Sequence, residues 1–218
     1  MRLVARRGAL MQALPHGSML SVRMDAEELE RIMPESLSLA AHNGPSACVI
    51  AGPTAAIESF ATTLTKDGFV TRSLRTSHAF HSSMMEPAVA PFRELVVKIA
   101  LSPPKMAIIS TLTGKRMQAA DATDPGYWAS HLREPVRFSP AIRTALALNP
   151  GGDLAFLEVG PRGTLSTLIR QHTKTGAPMP IAIPSLADGT DTELAAIQLA
   201  MGQLWTYGIE LKPVTTGC

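Results

Sequence analysis

Two histidines three residues apart, in Ser77-His78-Ala79-Phe80-His81-Ser82, are the most chemically suggestive pair in the sequence. Imidazole is the side chain poised nearest neutral pH. Such a pair can therefore be a general base, part of a metal site, or two loop histidines whose nitrogens the fold satisfies. The metal reading is weak, because no third ligand stands adjacent. Arg7 is the second candidate. A planar guanidinium offers two parallel, charge-assisted bonds to a carboxylate, which lysine does not copy. Spacing alone also allows an ordinary helix-surface arginine, as its neighbour Arg6 shows. Glu158, set in the apolar run Leu154–Val159, reads as a group that satisfies local backbone or pairs with an arginine. Met84 and Met85 read as core filler, and Cys48 as a small buried hydrophobe.

The elements that would carry these residues follow from periodicity and punctuation. Residues 1–14 have apolar positions at helical spacing and stop at Pro15. They open with no cap, as though the chain begins inside a helix. Ser18–Met24 predicts a strand, Asp25 caps a helix to about Met33, and Leu37–Ala41 and Ala47–Ala51 predict two strands around the turn signal Asn43-Gly44, with Pro45 arguing against a simple two-residue hairpin. Pro53-Thr54 opens a helix closed by Asp67-Gly68, and Val70–Leu74 predicts a fourth strand. This β-α-β-β-α-β order is that of a ferredoxin-like split βαβ unit. From residue 86 the texture changes. Glu86–Ile99, Trp128–Leu132, Ser139–Leu148 and Leu165–His172 read as helices; Ala107–Thr111 and Ile181–Pro184 read as strands. Leu154–Val159 reads as a strand buried on both faces. Glu193–Tyr207 reads as an amphipathic helix with Leu194, Ile197, Met201, Leu204 and Trp205 on one stripe.

Composition narrows the function. Twenty Lys and Arg against eighteen Asp and Glu leave a net charge of +2 with no basic block, so nothing supports a nucleic-acid surface. Cys48 and Cys218 are the only cysteines, which excludes a disulfide framework and a Cys-rich zinc site. No apolar run approaches the roughly 20 residues of a membrane span, and the N-terminus lacks a secretory apolar core. The expectation is a cytoplasmic α/β protein with no metal.

Taken together, these segments resemble the acyltransferase domain of polyketide synthases, a family shared with malonyl-CoA:acyl-carrier-protein transacylases. The resemblance rests on Arg6-Arg7-Gly8-Ala9-Leu10-Met11-Gln12, Asn43-Gly44-Pro45 with Gly52-Pro53, His78–His81 followed by Met84-Met85-Glu86-Pro87, Tyr127-Trp128 with His131–Phe138, and Phe156–Pro161. It implies that a malonyl extender unit passes from coenzyme A to the phosphopantetheine thiol of an acyl carrier protein, through an acyl-serine ester. His81 would be the base, oriented by the backbone carbonyl of His131, which leaves the His131 side chain without a role. Arg7 would grip the free carboxylate. His78 and Phe80 would touch substrate, Phe80 near C2, where the His-Ala-Phe-His form of the box goes with malonyl rather than methylmalonyl units.

The implied architecture is a partial α/β-hydrolase-like large subdomain (residues 1–15 and 76–186) with an inserted ferredoxin-like small subdomain (16–75) and a post-domain linker (187–218). One departure is decisive for activity. No G-x-S-x-G occurs in the sequence. The resemblance therefore implies the C-terminal two-thirds of a domain whose nucleophilic serine lies outside this chain, inactive alone. The alternative is a non-catalytic fragment that docks carrier protein or coenzyme A. Truncation, an incomplete gene model and a degenerate domain all remain open at this point.

Overall fold

The computed structural model describes residues 2–149, 154–173, 178–187, 189 and 192–211. Cys218 lies outside the described residues. Contacts divide the chain into two compact units, Met1–Ala145 and Leu146–Cys218.

In the first unit, α1 (Arg2–Gln12) leads into β1 (Ser18–Val22), α2 (Ala26–Ile32), β2 (Ser38–Gly44), β3 (Ala47–Gly52), α3 (Thr54–Lys66) and β4 (Thr71–Ser73). The strands form one antiparallel sheet in the order β2-β3-β1-β4. Local chemistry sets the boundaries. The Asp25 side chain accepts from the backbone N–H groups of Glu27 and Glu28, capping α2. Gly68, at φ 85°, follows the end of α3 in a conformation that glycine adopts without a steric penalty.

Alternation along the strands divides their residues between two faces. Leu20, Val22, Cys48 and Ile50 turn to the face covered by Leu29 of α2 and by Ile57, Phe60 and Leu64 of α3. Leu20, Leu29, Ile50 and Leu64 are almost wholly buried there, and each contributes roughly 1.5–3 kcal/mol. The other face carries Met19, Ala40, Val49 and Ala51, against which Ala79 packs. Gly17 is part of that fit. A Cβ there would meet Ala79 Cβ at 2.8 Å and the Gly52 carbonyl at 2.9 Å.

A short 3-10 turn (Ser83–Met85) then leads into α4 (Glu86–Val96), with Pro87 in its first turn. α5 (Ala119–Thr123), α6 (Pro125–Ser130) and α7 (Phe138–Leu148) follow. Ala88, Phe92 and Val96 of α4 pack with Ala129 and Leu132 near α6, and with Leu3, Leu10 and Met11 of α1. The strand predicted over Ala107–Thr111 is reduced to one antiparallel bridge, Ile109 to Arg116. The tight turn at Ser110–Gly114 diverts the backbone bonds of these residues into a loop.

In the second unit, β5 (Ala155–Glu158), α8 (Thr164–Arg170) and β6 (Ile181–Pro184) make a parallel pair with a helical crossover. α9 (Glu193–Thr206) packs on β6 through Ala200 and Leu204. Two expectations fail here. β5 is not covered on both faces, for Leu157 is 43% and the following Val159 84% exposed. The apolar stripe of α9 is only partly its buried face: Leu204 packs inward beside Ala200, whereas Leu194 and Trp205 are each 71% exposed. Glu158 fulfils its expected local role. Its two carboxylate oxygens accept from the Leu165 and Ser166 N–H groups at 3.0 and 2.8 Å. These bonds, with Arg170 nearby, hold its carboxyl below the usual range although burial acts in the opposite sense.

Candidate active site

Between α1, α4 and α6 lies a cleft of about 480 Å³, lined by Leu3, Val4, Arg7, His81, Phe92, Val96, Ile99, Leu101, Thr111, Trp128, His131 and Val136. Two candidates far apart in the sequence, Arg7 and His81, thus line one space. α1 supplies Arg7 from its half-buried face. Its Nε is buried without a hydrogen-bond partner, and no carboxylate among the described residues pairs with the guanidinium.

His81 reaches the cleft through an unusual backbone. Its φ of 57° lies in the left-handed region, which is uncommon for a residue with a side chain. Two bonds hold it there: its backbone N–H donates to the Leu132 carbonyl at 3.3 Å, and Nδ1 lies 3.0 Å from the Glu134 carbonyl. A carbonyl only accepts, so Nδ1 carries the proton and Nε2 keeps its lone pair. This is the tautomer a base requires.

The orienting carbonyl belongs to Glu134 and not to His131, as the resemblance implied. The cause is local. His131 ends α6, whereas Pro135 forces Glu134 out of helical conformation and leaves its carbonyl free. Val136 then locks onto the edge of β2, donating to Ala40 and accepting from His42, both at 2.9 Å. The sheet edge thereby fixes the carbonyl that fixes the base. At the same corner Arg133 bridges Glu86 at 2.6 Å and Glu134 at 2.8 Å, an exposed arrangement of modest strength.

His78 and Phe80 do not line the cleft. His78 is 1% exposed. Its Nε2 donates to the Leu14 carbonyl at 3.0 Å and its Nδ1 pairs with the Ser77 hydroxyl at 2.8 Å, so both nitrogens are used. Its ring stacks on His16 with centroids 4.9 Å apart. Phe80 packs on the sheet face beside Ala79, its ring 6.0 Å from that of His78. The assignment of these two residues to substrate contact is therefore corrected. The left-handed turn at His81 sends that side chain alone to the cleft.

Sequence reasoning also missed the place of the His131 ring, which lies in the cleft beside Tyr127 and Trp128. The run Tyr127-Trp128…His131 at helical spacing was the available signal.

Burial lowers the proton affinity of His81 below its ordinary value, against the raising effect of the Glu134 bond and with the help of positive Arg7. His131 is lowered by burial, then by His81 and Arg7. Both rings are neutral at pH 7. The sign of the linkage follows: between the folded and unfolded values the unfolded chain binds more protons, so stability rises with pH through that window. The melting temperature should therefore fall as pH drops below the ordinary histidine range. A scan of His81→Gln should show a weaker fall than the parent; an identical pH dependence in the two would contradict it.

Comparison with known proteins identifies the family. The chain belongs to the acyl transferase domain family, whose model matches residues 1–211. Among curated relatives, polyketide synthase GfsB of Streptomyces halstedii is 38% identical over 218 residues, covering 98% of this chain and 4% of that protein. The mycoketide-CoA synthase of Mycobacterium tuberculosis is 39% identical over 210 residues, covering 96% of this chain and 5% of that protein. Among solved structures, the acyltransferase domain from the second module of the salinomycin polyketide synthase matches with a TM-score of 0.85 at 37% identity, over 96% of this chain and 48% of that one. A malonyl CoA-acyl carrier protein transacylase from Clostridium perfringens matches at 25% identity and a TM-score of 0.76, over 94% of this chain and 65% of that one. The chain thus spans a small part of these synthases and about half to two-thirds of these solved chains.

Proposed function

We propose that this chain supplies the base and the carboxylate clamp of an acyltransferase that moves a malonyl unit from coenzyme A to an acyl carrier protein. The supporting observation is that an unpaired arginine and a correctly protonated imidazole line one cleft. The nucleophilic serine comes from polypeptide outside these residues. In this reading Arg7 holds the free carboxylate, and His81 Nε2 takes the serine proton as the hydroxyl oxygen attacks the thioester carbonyl. The tetrahedral intermediate expels the coenzyme A thiolate, which leaves with the proton from the imidazolium. In the second half-reaction His81 takes the proton of the phosphopantetheine thiol; sulfur attacks the ester and the serine regains its hydrogen. The Glu134 carbonyl accepts from Nδ1 throughout, the role a carboxylate plays in a full triad.

The same reading gives the architecture in finer terms. Residues 16–75 form a ferredoxin-like small subdomain, residues 1–15 and 76–186 belong to an α/β-hydrolase-like large one, and 187–218 are a linker toward further synthase domains. The setting is cytoplasmic.

The lack of a G-x-S-x-G favours one second reading, a fragment that binds coenzyme A esters or carrier protein without turnover. One experiment separates the two. The 218-residue chain, incubated alone with radiolabelled malonyl-CoA, should retain no covalent label and transfer none. Mixed with a segment bearing the serine elbow, it should restore transfer. Label retained by the chain alone would overturn the assignment of the nucleophile; no transfer in the mixture would favour the binding fragment.

A further inference from the structure

Arg7 and His131 both line the cleft, and each has a buried side-chain nitrogen with no hydrogen-bond partner among the described residues, Nε of Arg7 and Nε2 of His131. Burying such an atom unpaired is unfavourable, and two in one cleft mark a place whose hydrogen bonds a ligand completes. The ring is also pre-set. It stacks on Trp128 with centroids 5.8 Å apart and an interplanar angle of 19°, and meets Tyr127 edge-on at 5.2 Å and 73°. Both aromatics are locked in turn. Trp128 Nε1 donates to the Ala122 carbonyl at 2.9 Å, and the Tyr127 hydroxyl donates to Ser110. A residue needed only for packing between two rings would not require a nitrogen there.

We propose that the His131 side chain is a second carboxylate-binding group of this cleft, donating Nε2–H to the diacid group that Arg7 grips. This rests on the reading of Arg7 given above. The ring is neutral and so has one N–H to give; a carboxylate beside Nε2 selects the tautomer that carries it there. An arginine alone binds any anion that reaches it. A second donor on a ring held by Tyr127 and Trp128 distinguishes a planar carboxylate from a plain acyl group, which offers neither charge nor a second oxygen.

The test is calorimetric binding of malonyl-CoA and acetyl-CoA to the full 218-residue chain and to three variants. His131→Phe keeps the ring contacts and removes the nitrogen; it should lose about tenfold in affinity for malonyl-CoA and none for acetyl-CoA. His131→Gln restores a donor and should recover most of that loss. Arg7→Ala should lose more than either. Loss in Arg7→Ala with none in His131→Phe would overturn this inference and leave the function standing. Equal loss of both esters in His131→Phe would reduce His131 to packing. No discrimination between the esters in any form, the parent included, would overturn both. Nitrogen NMR of the parent gives a check free of mutation. Saturation with malonyl-CoA should convert His131 Nε2 to the protonated type, and an unchanged signal would refute the bond.

Discussion

Replacing His81 by alanine in the domain completed with its serine segment should lower acyl transfer by about 10³-fold, within the range of about 10²–10⁴ for loss of a general base. The argument is geometric first. Nδ1 is committed to the Glu134 carbonyl, so Nε2 is the free lone pair, and burial with Arg7 nearby keeps it unprotonated at pH 7. Rapid-quench measurement of serine acylation reads the effect without interference from product release. The acid limb of kcat/KM for the parent should fall below the ordinary histidine range. A His81→Ala rate within tenfold of the parent would remove His81 from the chemistry.

Arg7→Ala should have an effect of a different kind. The guanidinium has no carboxylate partner among the described residues, so its charge is available to a ligand. Removing one partner of a buried, hydrogen-bonded charge pair costs about 2–5 kcal/mol. kcat/KM for malonyl-CoA should therefore fall by at least about 30-fold, while that for acetyl-CoA stays level or rises. Arg7→Lys should recover only part of the loss, because a point charge does not reproduce the fork. Competition between the two esters, read by mass of the acylated domain, measures the ratio directly. Equal losses for both substrates would show that Arg7 supports the fold and does not select the acyl group.

The four-stranded sheet was legible in the sequence because its signals are local. Apolar alternation, the Asp25 cap and Asp67-Gly68 each act within a few residues of the feature they specify; Asn43-Gly44 instead ends β2, and the two-residue turn that Pro45 argued against falls on Pro45-Ser46 itself. The second unit was harder to read. Apolar residues at helical spacing identify α9, but spacing does not say which face packs, and β6 takes the face of Ala200 and Leu204 rather than that of Leu194 and Trp205. Likewise the apolar composition of Leu154–Val159 gave the strand and not its exposure.

The site divides in the same way. Arg7 and His81 were legible as chemical types. Which of His78 and His81 faces the cleft was not, since spacing is blind to the left-handed backbone that separates them. The Glu134 carbonyl was hidden for a deeper reason: every residue has a carbonyl, and this one is chosen by Pro135 and by the bridge from Val136 to β2.

Nitrogen NMR of the histidine rings during a malonyl-CoA titration, run on the chain and on Arg7→Ala, puts the shared cleft to its most direct trial. If Arg7 and His81 hold one ligand, the His81 signals shift with a single dissociation constant in the parent, and that constant weakens sharply in Arg7→Ala. A His81 ring that ignores the ester, or responds identically with and without the guanidinium, would show that the two groups serve no common substrate.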